Sequence, residues 1–181
     1  MESLAIAGMY LGFKAPFNQS ADELKQSKEL LLQQKPLVRA YWDTVGDAVA
    51  LMAAGDIDMV WGWWPIYTEL KKEGLNVVWA SNIKEGLIGF ADGNGILNIT
   101  QYPDFCLDYI DHTLSTNYQF PLWESTGYRM SNKKVKEMMP ADAAAEIYPA
   151  DIGAYLDSLV LWITPKDPKP YEDAFAEVMA K

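Results

Sequence analysis

Aromatic residues stand next to carboxylates near the ends of predicted strands. Tyr41-Trp42-Asp43 ends one strand, Trp61 ends another, and Phe90-Ala-Asp92 lies in a glycine-rich stretch. In open parallel sheets, ligands bind beyond the carboxyl ends of the strands. An aromatic ring attracts a cation through its quadrupole, and a carboxylate accepts the N–H donors of an ammonium group. These residue types therefore predict a pocket for an organic ammonium ion.

The same residues also fit a purely structural role. Apolar residues in a buried strand are usually core, and an aspartate in a loop often caps a helix. The cluster Trp61-Gly-Trp-Trp64 contains residues of both kinds. Within it, Trp61 is the ligand candidate, whereas Trp63 and Trp64 are expected to pack under the following helix or at its rim.

Signatures of catalysis are missing from the sequence. Gly93-Asn-Gly95 is not a dinucleotide-binding fingerprint, because Asn98 stands where the third glycine belongs, and there is no P-loop or H-E-x-x-H. Cys106 is the only cysteine, so neither an internal disulfide nor a cysteine-based metal site is possible. His112 is the only histidine, and its neighbours predict a place on a helix surface. We therefore expect no enzyme activity, no cofactor and no metal.

The composition limits the class of partner. The chain has 181 residues, half of them hydrophobic, and a formal net charge of −10. A nucleic acid or an anionic membrane would require a basic face, so both are disfavoured. The acidic charge is compatible with a cationic ligand, although solubility alone also explains it. The first residues lack the basic region of a secretion signal, and no apolar run approaches the roughly 18 residues of a membrane span.

Hydrophobic periodicity predicts an α/β fold in the first half of the chain. Ser20 and Glu23 form a capping-box pattern that begins a helix, and Pro36 ends it. Strands alternating with helices imply a parallel sheet. The predicted strands are 37–42, 59–63 and 76–80. An extended glycine-rich stretch follows at 87–99, and 156–162 is a short apolar segment. The predicted helices are 1–12, 20–34, 46–54, 66–72, 103–115, 117–124, 131–138 and 171–180.

Four segments, in this order and at this spacing, resemble the C-terminal part of the periplasmic spermidine/putrescine-binding proteins, the solute receptors of bacterial polyamine ABC importers. The similarity covers nearly all of the chain, although no single motif is very specific. The segments are Leu30-Leu-Leu-Gln-Gln-Lys-Pro-Leu-Val-Arg-Ala-Tyr-Trp42, Leu51-Met-Ala-Ala-Gly-Asp-Ile-Asp-Met-Val-Trp-Gly62, Lys84-Glu-Gly-Leu-Ile-Gly-Phe-Ala-Asp92 and Ser125-Thr-Gly-Tyr-Arg-Met-Ser-Asn-Lys133.

The resemblance implies a type II periplasmic-binding-protein fold that binds a polyamine between two α/β lobes. It implies a nearly complete second lobe, 1–86 plus 148–181, and a mostly helical C-terminal part of the first lobe, 88–147. It further implies a periplasmic location and a membrane permease as partner of the full-length protein. The positions that match ligand-contacting sites of the family are Glu2, Asp43, Trp61, Phe90, Asp92 and, with looser alignment, Trp162.

Two departures from the family pattern affect the expected binding. Phe90 stands where a tryptophan is common, which gives a weaker cation–π face. The signal peptide and about the first half of the family's chain have no counterpart, which suggests a truncated gene or a deliberately shortened chain. We therefore expect weak polyamine binding or none. We also expect the 88–147 part to cover its exposed apolar surface, for example as a homodimer.

Alternatives to a polyamine receptor remain open at the level of sequence. A protein of the same fold could bind another solute, such as an aminophosphonate, another amine or a metal ion. A hydrolase would use Asp43, Asp92 and Glu2 as acid and base, but no nucleophile–base pair is visible. A module that only binds other proteins would leave Trp61 and Asp92 without a joint purpose.

Overall fold

The structure is a computed structural model that describes residues 2–180, and it is mixed α/β. Two short strands form its sheet, and helices make up most of the regular structure. The elements in chain order are α1 (Glu2–Tyr10), α2 (Ala21–Gln34), a 3-10 helix (Lys35–Leu37), α3 (Val45–Ala53), α4 (Trp64–Lys72), β1 (Leu87–Gly89), α5 (Pro103–Leu114), α6 (Thr116–Thr126), α7 (Lys133–Met138), α8 (Ala141–Ile147), α9 (Ile152–Asp157), β2 (Leu159–Leu161) and α10 (Lys169–Ala180).

The chain divides into two compact units, each of which is assembled from separated segments. Unit 1 comprises 1–41, 80–90 and 158–181, and unit 2 comprises 42–79 and 91–157. These boundaries differ from those of the two expected lobes, since 42–79 belongs with 91–157. The assignment of the chain to lobes of a binding protein stays a prediction.

Unit 1 is built on a three-helix core. Leu4 of α1, Leu31 of α2 and Val178 of α10 are buried together in one apolar cluster. Helix α2 begins with the predicted capping box, in which Ser20 accepts from the Glu23 amide and the Glu23 carboxylate accepts from the Ser20 amide. This reciprocal bonding satisfies two amides at the helix start and fixes where α2 begins.

Strands β1 and β2 form a parallel pair within unit 1. Gly89 pairs in register with Leu161, and the amide of Trp162 continues the ladder by donating to the Gly89 carbonyl at 2.7 Å. A side chain at Gly89 would collide with Leu159, because an added Cβ would lie 2.6 Å from its Cδ1. Glycine therefore permits the close approach of the two strands. Their pairing is parallel, as expected for the sheet as a whole, but the sequence did not predict that these two segments pair.

Unit 2 contains two apolar clusters. The first joins α3 to α4 through buried residues that include Val49, Ile66 and Leu70. The second surrounds α7 and α8 and includes Val135 and Ile147. The buried residues of each cluster come mainly from helices that are neighbours along the chain, and Trp64 of α4 also packs against the second cluster.

Three predicted strands are wrong. Segments 37–42, 59–63 and 76–80 form no strand in the structure, and 87–99 contributes only β1. Leu37, Met59 and Val78 are 86%, 87% and 87% exposed, so these three apolar side chains do not lie in the core, where a buried strand would place them. A β-strand forms only when a neighbouring strand is available to accept and donate its backbone hydrogen bonds. A short apolar run does not identify which segment that neighbour would be.

The predicted helices agree with the structure to within a few residues at most ends. Pro65 lies in the first turn of α4, as expected, and Gly74 follows the helix with a positive φ of 79°. Helices α8 and α9 were not predicted. Among the described residues, no helix is both long enough and apolar enough to cross a membrane.

Candidate functional site

Glu2 and Trp162 lie together in unit 1 and form the centre of the candidate site. The indole of Trp162 donates a hydrogen bond to the Glu2 carboxylate, at the start of α1. Burial raises the pKa of Glu2 above its usual value, and the hydrogen bond from Trp162 opposes this rise. The structure thus holds a half-buried carboxylate against an indole.

Phe90 and Trp162 directly follow the two paired strands, at the carboxyl edge of the sheet. Since Gly89 pairs with Leu161, the next residue on each strand is one of these two aromatics. The ring of Phe17 packs edge-on against Trp162, with centroids 6.3 Å apart. Three predicted site residues, Glu2, Phe90 and Trp162, are therefore brought to one edge, where parallel sheets bind ligands.

Unit 2 has its own aromatic cluster around Trp61. The rings of Trp42 and Trp61 stack with centroids 6.4 Å apart and an interplanar angle of 23°, and Trp63 meets Trp61 edge-on at 5.5 Å. Trp61 is 39% exposed, so part of the residue is open to solvent. Asp43 follows Trp42 directly and is exposed. The two predicted site residues are thus linked by Trp42, which precedes Asp43 in the chain and stacks on Trp61.

Asp92 is an exposed residue of unit 2. Within the described chain it receives no hydrogen bond or ion pair, and its electrostatic neighbour is Tyr128 of unit 2. Burial and then the charge of Asp92 raise the pKa of Tyr128. The expected role of Asp92 as main ligand carboxylate stays a prediction.

Trp63 and Trp64 mark the start of α4. Trp63 is the N-cap residue, and Trp64 opens the helix immediately before Pro65. The ring of Trp64 lies 5.0 Å from those of Tyr67 and Trp79. Trp64 therefore packs with its own helix, in agreement with the structural role predicted for it.

Two residues of these clusters were missed at the level of sequence. Phe17 is nearly fully buried against Trp162, but nothing in the loop Pro16-Phe17 points to a residue far along the chain. Trp42 was noted beside Asp43 but not named as a site residue. Its stacking on Trp61 depends on tertiary structure.

Potential metal ligands are not clustered in the part of the chain that the structure describes. No group of three or more His, Cys, Asp or Glu among residues 2–180 is placed to hold a metal ion. His112 is exposed on α5, and its ring packs edge-on against Tyr118 at 5.7 Å, as expected for a helix-surface residue. The side chains that the candidate site brings together are aromatic rings and carboxylates.

Comparisons of the chain with protein-family models, with curated proteins and with solved structures gave no match.

Proposed function

We propose that this protein binds a polyamine of the spermidine or putrescine type, as a solute receptor of a bacterial ABC importer. The observation that carries the proposal is the hydrogen-bonded pair of Glu2 and Trp162 at the carboxyl edge of β1 and β2. A half-buried carboxylate gains a charge-assisted partner when an ammonium group binds beside it. The exposed ring of Phe90 would line the methylene chain of such a ligand, and the buried ring of Phe17 packs against Trp162.

Charge favours an amine over an anion. The chain has a net charge of −10 and only two arginines, Arg39 and Arg129. Arg129 already donates to the Ile147 carbonyl and, at 2.8 Å, to the Tyr155 hydroxyl. Anion sites depend on arginine forks and free backbone N–H groups, so an aminophosphonate is a weaker candidate than an amine.

The type II periplasmic-binding-protein fold, the periplasmic location and the permease partner belong to the same proposal. The parallel pair β1–β2 and the flanking helices are compatible with part of such a fold. The resemblance of the four sequence segments supports these expectations, and the chemistry of the Glu2–Trp162 edge supports the ligand class.

Nuclear magnetic resonance of the tryptophan indole groups tests the proposal. Spermidine or putrescine at millimolar concentration should shift the indole resonance of Trp162, assigned with the Trp162→Phe variant. Glu2→Gln should weaken the response several-fold, because it removes the charge that attracts the ammonium group. The matched control, Glu29→Gln on the exposed face of α2, should leave it unchanged.

The uncharged analogue 1,4-butanediol separates charge recognition from weak apolar contact. It should leave the Trp162 resonance in place at the same concentrations. The proposal would be overturned if neither amine shifts the Trp162 indole resonance, or if 1,4-butanediol shifts it as much as the amines do.

A further inference from the structure

A groove in unit 2 has the make-up of a second binding site, and its lining includes neither Glu2, Trp162 nor Trp61. It lies between α4, α6 and α8 and has a volume of about 310 Å³. Its apolar lining includes Trp64, Trp123 and Ile147, and its charged lining includes Lys72, Glu124 and Glu146. A concave apolar surface with a few convergent polar groups is the usual form of a small-molecule site.

Neighbouring rings hold the two indoles of the groove in place. Trp64 packs against Tyr67 and Trp79 with ring centroids 5.0 Å apart in both cases, and Trp123 packs against Phe120 at 5.3 Å. Since these contacts lie behind the lining, the indole walls exist before a ligand arrives. A preformed wall lowers the entropy cost of binding.

Gly127 shapes one side of the groove. It ends α6 with a positive φ of 72°, and an added Cβ would lie 2.6 Å from Thr68 and 3.0 Å from Trp64. Only glycine allows both this turn and the close approach of the α6 terminus to α4. The groove therefore depends on a specific backbone feature and is more than a gap between side chains.

The charges of the lining favour a cation. Tyr67 donates a hydrogen bond to the Glu146 carboxylate, which orients this carboxylate without neutralising it. Glu124 has no ion-pair partner among residues 2–180. Lys72 is paired with Glu69 at 2.7 Å on the same helix. Two carboxylates thus remain uncompensated beside two indole rings.

We propose that this groove binds a primary amine that carries a single positive charge and an apolar body of about ten non-hydrogen atoms. The size follows from the volume, taking roughly 30 Å³ per water-sized group. The apolar body would rest on Trp64 and Trp123, and the ammonium group would lie near Glu124 and Glu146. The ammonium group of Lys72 disfavours a second charge at the other end of the ligand, so the groove prefers a monoamine to a polyamine.

The probe for this proposal is phenethylamine, with putrescine as the dicationic comparison. Phenethylamine should shift the indole resonances of Trp64 and Trp123, assigned with the Trp64→Phe and Trp123→Phe variants. Putrescine at equal concentration should shift them less. Raised salt should weaken the response, because the attraction at the rim is electrostatic and exposed.

Two pairs of variants locate the probe. Ala143→Leu places a larger side chain in the groove and should reduce the response at least several-fold. Ala145→Leu, on the exposed part of the same helix and outside the lining, should not. The exposed double variant Glu124→Gln with Glu146→Gln should weaken phenethylamine binding about threefold or more, as expected from surface charge interactions. Glu137→Gln is its control.

Binding of phenethylamine in the groove can be distinguished from polyamine binding beside Glu2 and Trp162. Glu2→Gln should leave the phenethylamine response of Trp64 intact, because Glu2 is not part of the groove. The inference is overturned if neither indole responds to phenethylamine, if putrescine is preferred, or if the double glutamine variant binds as tightly as the unmodified chain.

Discussion

The indole Nε1 of Trp42 donates a 2.8 Å hydrogen bond to the carbonyl oxygen of Trp61, and their two rings stack. This bond joins two segments that were each predicted to be a strand but that form no backbone ladder. A side chain does here what a sheet hydrogen bond would do, since it satisfies the main chain of Trp61. The aromatic wall around Trp61 is therefore fixed before any ligand binds.

Replacing Trp42 should destabilise the protein more than replacing Trp61. Trp42→Phe removes the indole donor and leaves the Trp61 carbonyl without it, at a cost of about 1 kcal/mol in the free energy of unfolding. Trp61→Phe keeps the bond, because its acceptor belongs to the main chain. Urea denaturation of both variants measures the difference. Equal losses of stability would contradict the importance of the hydrogen bond.

Replacing Glu2 by glutamine should change how stability depends on pH. The pKa of Glu2 in the folded protein is raised above 4.5, so the unfolded chain releases this proton first as the pH rises. The folded state is therefore penalised increasingly as the pH rises through the folded pKa, and the penalty is absent below about pH 4. Glu2→Gln cannot ionise and should gain stability relative to the unmodified protein between pH 4 and pH 7.

Urea midpoints at both pH values measure this change for Glu2→Gln and for the exposed control Glu29→Gln. A stability difference between Glu2→Gln and the unmodified protein that is the same at pH 4 and pH 7 would contradict the assignment. It would show that burial of the carboxylate does not control its ionisation.

Tyr67 should titrate at unusually high pH. Burial, its hydrogen bond to Glu146 and the charge of that carboxylate raise the pKa of Tyr67 to about 12. The unfolded chain loses the same proton near pH 10, so this contribution to stability is present below pH 10 and is lost as the pH rises to about 12. The absorbance of tyrosinate, followed in the protein and in Tyr67→Phe, assigns the transition.

Glu146→Gln should lower the pKa of Tyr67, because it removes the negative charge that opposes ionisation of the phenol. The control is Glu137→Gln, which should leave that pKa unchanged. A Tyr67 that titrates near 10 in the unmodified protein would contradict both the burial of the phenol and its hydrogen bond to Glu146.

The exposed aromatic flank of α5 should promote self-association. Phe105 and Tyr109 are 71% and 51% exposed and are four residues apart on this helix. Exposed apolar patches of this kind favour contact between copies of a chain. Analytical ultracentrifugation should show a dimer whose fraction rises with protein concentration. The double variant Phe105→Ser with Tyr109→Ser should lower that fraction. Tyr10→Ser, at an exposed position of α1, is the control, and a monomer at all concentrations would contradict the expectation.

Local signals in the sequence were enough to place most helices. Ser20 with Glu23 and Pro65 act on the residues beside them, so their effects do not depend on distant parts of the chain. The unpredicted capping box of Thr44 and Asp47 at α3 is also local and could have been found in the same way. The predictions of strands at 37–42, 59–63 and 76–80 were wrong, because a strand requires a hydrogen-bonded partner and hydrophobic periodicity does not identify that partner.

For the candidate site, the sequence by itself determined the residue types, namely aromatics beside carboxylates in an acidic chain without a catalytic signature. Only the tertiary structure decided which of them meet. Glu2 and Trp162 are 160 positions apart, and their hydrogen bond exists because β2 pairs with β1 and α1 packs within the same unit. Recognition of a cation needs a ring and a carboxylate at contact distance, and contact distance between remote residues is a property of the packed chain.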